Sequence, residues 1–422
     1  MMSRLWLIPL FGLAFSVQAA PAPETPGLLP TEMVRPLLEQ DPNVAAARAG
    51  LEVARQEAGL LDSSPYEWNA KLSSQRRTLQ QGPAYQEWNA GIERPLRLPS
   101  KASADRNIGK ATIEEAEARY GEALHEAARD LLSLWLDWLA AEHGRELASA
   151  NRQSAQENLS AAGKRLRAGD ASKLDVSLAH AELADQQRMD NDAKTLAAVA
   201  WGNLHARFPG LGQEMKAWPT PMPLKQNAAF WRERILAESD ELKTAQAQLQ
   251  KAQAEAERTR ADKLPDPTVG IYTASEVGGR ERITGLSVSM PIPGGQRGQR
   301  AARSLQLVEV MRQQVESKKR ALEAEIANAI VSTEGAYTSL QLAEAGAAAM
   351  QDNARLMQRA YTLGEADLQA LLLARRQATA AAQSALAARA GAAKNYYLLL
   401  IDAHLVWELD HDLPKQAARA SE

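Results

Sequence analysis

The chain has 422 residues, a formal net charge of -3 and no cysteine. That charge balance offers no basic face for nucleic acid, and the missing cysteine excludes disulfides and a lipid-bearing N-terminal Cys. Phenylalanine occurs 4 times and aromatics make up 5%, so an alanine-rich chain of this kind favours long, closely spaced helices over thick globular cores.

Residues 1–19 read as an export signal. Arg4 supplies the positive charge, residues 5–17 form a short apolar run, and Val17-Gln18-Ala19 sets small residues where a signal peptidase cuts, after Ala19. A membrane-anchoring helix needs about 20 apolar residues, and Ala20, Pro21 and Pro23 follow too soon. No later stretch holds 18 apolar residues, which excludes a polytopic helical membrane protein but not a β-barrel, whose strands need only alternate.

The remainder reads as one unit used twice. Gly91-Ile92-Glu93-Arg94-Pro95 is answered by Ser287-Val288-Ser289-Met290-Pro291, and Arg167-Ala168-Gly169-Asp170 by Thr362-Leu363-Gly364-Glu365. Leu51 and Ala54 are likewise echoed by Leu249 and Ala252, and the separation hardly changes between these landmarks. The first repeat is expected over 20–208, with helices near 31–62, 101–163 and 171–206. A Pro- and Gly-rich linker follows at 209–223. The second repeat spans 224–405, with helices near 227–263, 298–361 and 366–405, and 406–422 is a tail. Pro65 ends one rising helix, and Pro265 and Pro267 end the other. Ile113, Tyr120, Leu124, Leu131, Leu134 and Trp138 form a coiled-coil seam. The helix carrying it spans on the order of 95 Å at ~1.5 Å per residue. Helices 171–206 and 227–263 are each near half that length, so laid end to end they would match one long partner in the wall of a hollow cylinder.

Between the helices, 66–79 and 85–96 form a hairpin around Gln80-Gln81-Gly82-Pro83, and 267–277 and 281–291 form another around Gly278-Gly279. Trp68, Ala70 and Leu72 share one face and Asn69, Lys71 and Ser73 the other. Leu286, Val288 and Met290 likewise alternate with Ser287 and Ser289. Four strands cannot close a barrel across lipid, for which about 8 is the usual minimum. Three chains together give an even, edge-free set of about 12. Tyr66 and Trp68 then fall near one membrane interface and Tyr85 and Trp88 near the other, as an aromatic belt. Two soluble hairpins with ordinary packing tryptophans are the alternative.

The opening Asp41-Pro42-Asn43-Val44-Ala45-Ala46-Ala47-Arg48, the two Pro-terminated strands and the two glycine turns together resemble the TolC-like outer-membrane factors of tripartite efflux pumps, over nearly all of the mature chain. The resemblance implies a mostly α fold with a small β part: a homotrimeric α-barrel of long coiled-coil helices continued by a shared 12-stranded β-barrel in outer-membrane lipid. The implied partners are a periplasmic adaptor and an inner-membrane pump of the RND type. The run Ile92-Glu93-Arg94-Pro95-Leu96-Arg97-Leu98-Pro99-Ser100-Lys101 looks most like the branch that exports heavy-metal cations.

The same resemblance makes Arg167, Ala168, Gly169 and Asp170, with Leu363, Gly364 and Glu365, the tips that meet the adaptor. Asp170 and Glu365 could instead cap the helices that follow. It further implies an acidic aperture at Asp175, six places after Gly169; the second copy departs, with Ala370 and Leu373 at the matching positions and Asp367 the only nearby acid, and Leu371 and Leu373 are read as an apolar constriction or as packing between neighbouring helices. Asp175 could equally be an ordinary surface carboxylate.

No catalytic set, metal site or cofactor site is expected. The six histidines, at 125, 143, 180, 205, 404 and 411, show no i,i+4 pair. Pro293-Gly294-Gly295-Gln296-Arg297-Gly298 lacks the Gly-Lys-Ser/Thr of a phosphate loop. The rival reading is a soluble periplasmic coiled-coil adaptor or scaffold, which would carry one helical hairpin flanked by β-rich domains rather than two unequal copies.

Overall fold

The computed structural model describes residues 27–213 and 217–407; the expected signal peptide and most of the 406–422 tail lie outside them. Helices α1 (Thr31–Glu39) and α2 (Pro42–Asp62) lead into strands β1 (Asn69–Thr78) and β2 (Ala84–Pro95), then α3 (Pro99–Ala168) and α4 (Lys173–Arg207). The order repeats with α5 (Ala228–Glu238), α6 (Asp240–Ala261), β3 (Thr268–Glu276), β4 (Glu281–Ser289), α7 (Gly295–Leu363) and α8 (Leu368–Asp402).

Each rising helix, expected as one piece, is two. Pro42 has no N–H to continue the ladder, and the Asp41 carboxylate accepts from the N–H groups of Asn43 and Val44, starting a new helix there. Ser239 performs the same service for α6 by accepting from the N–H of Leu242. The long helices overshoot their expected ends at both termini: α3 has 70 residues and α7 has 69, close to 105 Å at ~1.5 Å per residue.

Two packing regimes follow one another along α3. Tyr120, Leu124, Leu131, Leu132, Trp135, Leu136, Trp138 and Leu139 are buried in a thick cluster with α1 and the end of α8, whereas the expected seam residues Ile113 and Leu134 are half-buried. Beyond it, Ala141, Ala148, Ala155 and Ala162 are buried at intervals of seven, an alanine heptad that lets helices approach closely.

The pairing of the half-length helices differs from the expectation. Helix α6 runs antiparallel along the first half of α3, through Arg258 to Asp105, Lys251 to Glu115 at 3.0 Å and Thr244 to Glu122 at 3.1 Å. Helix α8 covers the second half, through Arg375 to Ser154 at 2.9 Å and Lys394 to Asp137 at 3.3 Å. Helices α6 and α8 thus lie end to end. So do α2 and α4, where Arg207 at the end of α4 binds Asp41 at the start of α2 at 2.9 Å. Helix 171–206 meets the rising helix of its own copy, not 227–263, because the strands and the α3–α4 turn return the chain to α3 from both ends.

Candidate functional site: a strand band and two helical tips

The four strands form one antiparallel sheet in the order β1-β2-β3-β4, so the central β2–β3 pair joins the two copies. Registers decide which residues share a face, since directly paired residues point the same way. Leu72 stands opposite Ala90, Ile92 opposite Ile271, and Ile271 opposite Leu286. That face, with Trp68, Trp88, Val288 and Met290, is exposed: Leu72 and Leu286 are each 82% accessible. The opposite face is polar. Lys71 pairs with Glu93 at 2.6 Å, and Arg77 reaches Glu87 at 3.1 Å and Glu276 at 3.4 Å. An apolar face open to the surroundings backed by an ion-paired face is the pattern of a strand between lipid and a wet lumen.

Two members of the expected aromatic belt do not join it. Tyr85 pairs with Arg77 and so lies on the polar face, three positions from Trp88, which the two-residue period puts on the other side. Tyr66 sits below the sheet, where its hydroxyl donates to Asp266 at 2.5 Å, a bond that, with burial, pushes its pKa up to about 12. Trp68 remains on the apolar face, beneath the guanidinium of Arg94.

At the far end of the long helices the two turns are built alike. Arg167 and Ala168 close α3, and Gly169 takes a left-handed φ of 87° while Asp170 N–H donates to the Arg165 carbonyl at 2.8 Å. Leu363 closes α7, Gly364 has a φ of 79°, and Glu365 N–H donates to the Ala360 carbonyl at 2.9 Å. Only glycine takes this conformation without strain. Asp170 and Glu365 are not the caps of the following helices. Ser172 and Asp175 form a reciprocal capping box on α4, with bonds of 2.8 and 3.1 Å, and Asp367 accepts from Ala370 N–H at 2.7 Å on α8. The acidic side chains of both tips are therefore left exposed.

The proposed aperture residues separate. Leu371 is fully buried with Ala162, Ala179, Leu368 and Leu372, so it packs the tip rather than narrowing an opening. Leu373 is 58% exposed. Sequence reasoning missed the cross-links that hold the two helical hairpins together: Arg376 to Glu182, Arg375 to Ser154, and Arg165 over the Tyr361 ring at 4.7 Å.

The family described as outer membrane efflux protein matches residues 33–207 and 231–399, most of this length, and the chain belongs to that family. It is accordingly an outer-membrane channel protein and not an enzyme. The fold is similar to that of CusC at a TM-score of 0.73 and 17% identity, covering 88% of this chain and 91% of that one. It is similar to the Campylobacter jejuni CmeC outer membrane channel at 0.72 and 15%, covering 90% and 85%, and to the open state of the Neisseria gonorrhoeae MtrE outer membrane channel at 0.70 and 17%, covering 90% of each. Over 206 residues, 47% of its length, the chain is 23% identical to the cobalt-zinc-cadmium resistance protein CzcC of Cupriavidus metallidurans. That match spans about half of the relative, 48%.

Proposed function

We propose that three copies of this chain close a 12-stranded barrel and a helical tube, and that the assembly is the passive exit duct of a tripartite efflux pump. The observation that carries the reading is the sheet. Among the described residues nothing pairs with the outer edges of β1 and β4, and in hydrocarbon each unpaired backbone group costs several kcal/mol. Pairing β1 of one copy with β4 of the next removes both edges; two copies would reach only the usual minimum of about 8 strands, and three give the set of about 12 that the family likeness supports. The exposed apolar face then meets lipid. A soluble coiled-coil scaffold would leave that band in water.

In this reading the helical tips project into the periplasm, where Gly169 and Gly364 let an adaptor helix come close to the backbone and Asp170 and Glu365 select basic partner residues. An inner-membrane pump supplies the energy. Heavy-metal cations are the proposed cargo, supported by the likeness to the cobalt-zinc-cadmium resistance protein. The chain has no cysteine, so single-cysteine variants on β1 and β4 report the edge contact directly. Oxidising cells that express a Ser73→Cys and Ser287→Cys double variant, and scanning neighbouring positions for register, yields covalent oligomers if β1 meets β4 of a second copy. Only monomer across the whole scan refutes the trimeric duct.

A further inference from the structure

The two end-to-end helix joints occupy matching places in the two copies but are built from different cations. In the first, Arg207 lies between Asp41 at 2.9 Å and Asp130 at 2.6 Å and is about a third exposed. Its charge is permanent and satisfied by two carboxylates and water. In the second, the residue 197 positions later is His404, in the turn just past the end of α8. Its ring is 6% exposed, 4.0 Å from an Asp240 carboxylate oxygen at the start of α6, and stacked on His125 of α3 with centroids 5.7 Å apart. Asp402 closes the arrangement by contacting His125 at 3.4 Å and Arg129, and Arg234 of α5 donates to the Ala403 carbonyl at 3.1 Å.

We propose that the joint between α8 and α6 is a proton-operated hinge: at neutral pH His404 packs there uncharged, and protonation in acid loosens that joint while the arginine-built joint between α4 and α2 holds. The groups facing it come from every packed element. Asp240 and Glu238 favour a charged imidazole, whereas Lys243 and His125 oppose it. Arg129, Arg234 and Asp402 complete the first ring of charges. An adjoining cavity of about 400 Å³ adds Glu122, Glu126, Glu241 and Glu325. Burial is the largest influence and holds His404 below the ordinary imidazole range despite Asp240. A base depressed in the folded state binds fewer protons there than when unfolded. Its contribution is therefore full above the unfolded value of about 6.5 and is lost as pH falls from there through the lower folded value. The hinge links the barrel-bearing α6 to the tip-bearing α8, so external acid reaching the periplasm would free one hairpin of each chain and not the other.

Hydrogen exchange on the full-length protein in detergent, at pH values of roughly 5.5 and 7.5 on either side of the imidazole range, tests this. After correction for intrinsic rates, peptides over 397–407 and 239–245 should exchange several-fold faster in acid, while 200–211 and 38–45 stay unchanged. His404→Gln and His404→Arg should each abolish the difference, and either alone is sufficient if the other fails to fold. Equal acceleration at both joints, no acid response in the wild type, or an acid response that survives in His404→Gln would overturn the proposal.

Discussion

Arg376 on α8 reaches Glu182 on α4 with two donors on one carboxylate oxygen, Nε at 2.8 Å and Nη2 at 2.6 Å. Glu182 is 5% exposed and also accepts from Gln186 Nε2 at 3.0 Å, and the bond to Arg376 fastens the second hairpin to the first close to the tips. Glu182→Gln should lower stability by about 1–2 kcal/mol, discounted for the half-exposed arginine. The exposed Arg389–Glu344 pair is the internal comparison, and Glu344→Gln should change little. Thermal unfolding of the detergent-solubilised protein measures both; equal effects would deny the clamp its role.

The two faces of the sheet should respond oppositely to charge. Leu286→Lys places an ammonium on the apolar face, at a cost of about 2–4 kcal/mol if it lies near mid-bilayer. Ser287→Lys, one residue on, points to the polar face and should be tolerated. The yield of membrane-assembled protein, compared between the two variants, reads this out. Comparable yields would mean that the exposed band does not meet lipid.

At the tips, Asp170→Lys with Glu365→Lys should abolish efflux without reducing assembled protein, because neither carboxylate caps a helix and both face outward. A transport assay beside a quantified membrane fraction separates the two effects. Efflux at the wild-type level in the double variant would show that the partner does not read these charges.

The capping box complicates the aperture and also supplies a cleaner variant. Asp175→Ala removes both the charge and the acceptor for Ser172 N–H, so about 1 kcal/mol of helix stability goes with it. Asp175→Asn keeps an acceptor oxygen and removes only the charge. Both should reduce cation over anion selectivity in planar bilayers, and only the alanine variant should also lower stability. Leu373→Ser should raise the open fraction, whereas Leu371→Ser should mainly destabilise the tip core. Unchanged conductance in all four would place the constriction elsewhere.

What could be read from the sequence was local. The strands announced themselves through a two-residue period, and Gly169 and Gly364 through a left-handed turn that other residues avoid. Tyr85 has the height of an outer belt residue, but its parity along β2 sets it on the face opposite Trp88. Leu371 and Leu373, about 200° apart on a helix, lie on opposite faces, and only the packed neighbours say which one points inward. The joints and clamps were out of reach: Arg207 and Asp41 lie 166 residues apart and Arg376 and Glu182 lie 194 apart. No local spacing encodes contacts that arise only when distant helices, within one copy or between the two, fold against each other.

Closure of the sheet across three chains is the central claim, and the native mass of the membrane-extracted protein tests it most directly. The account predicts an alkali-resistant membrane protein whose detergent-corrected mass is that of three protomers. A protein released from membranes by alkaline washing and measuring as a single chain would contradict it.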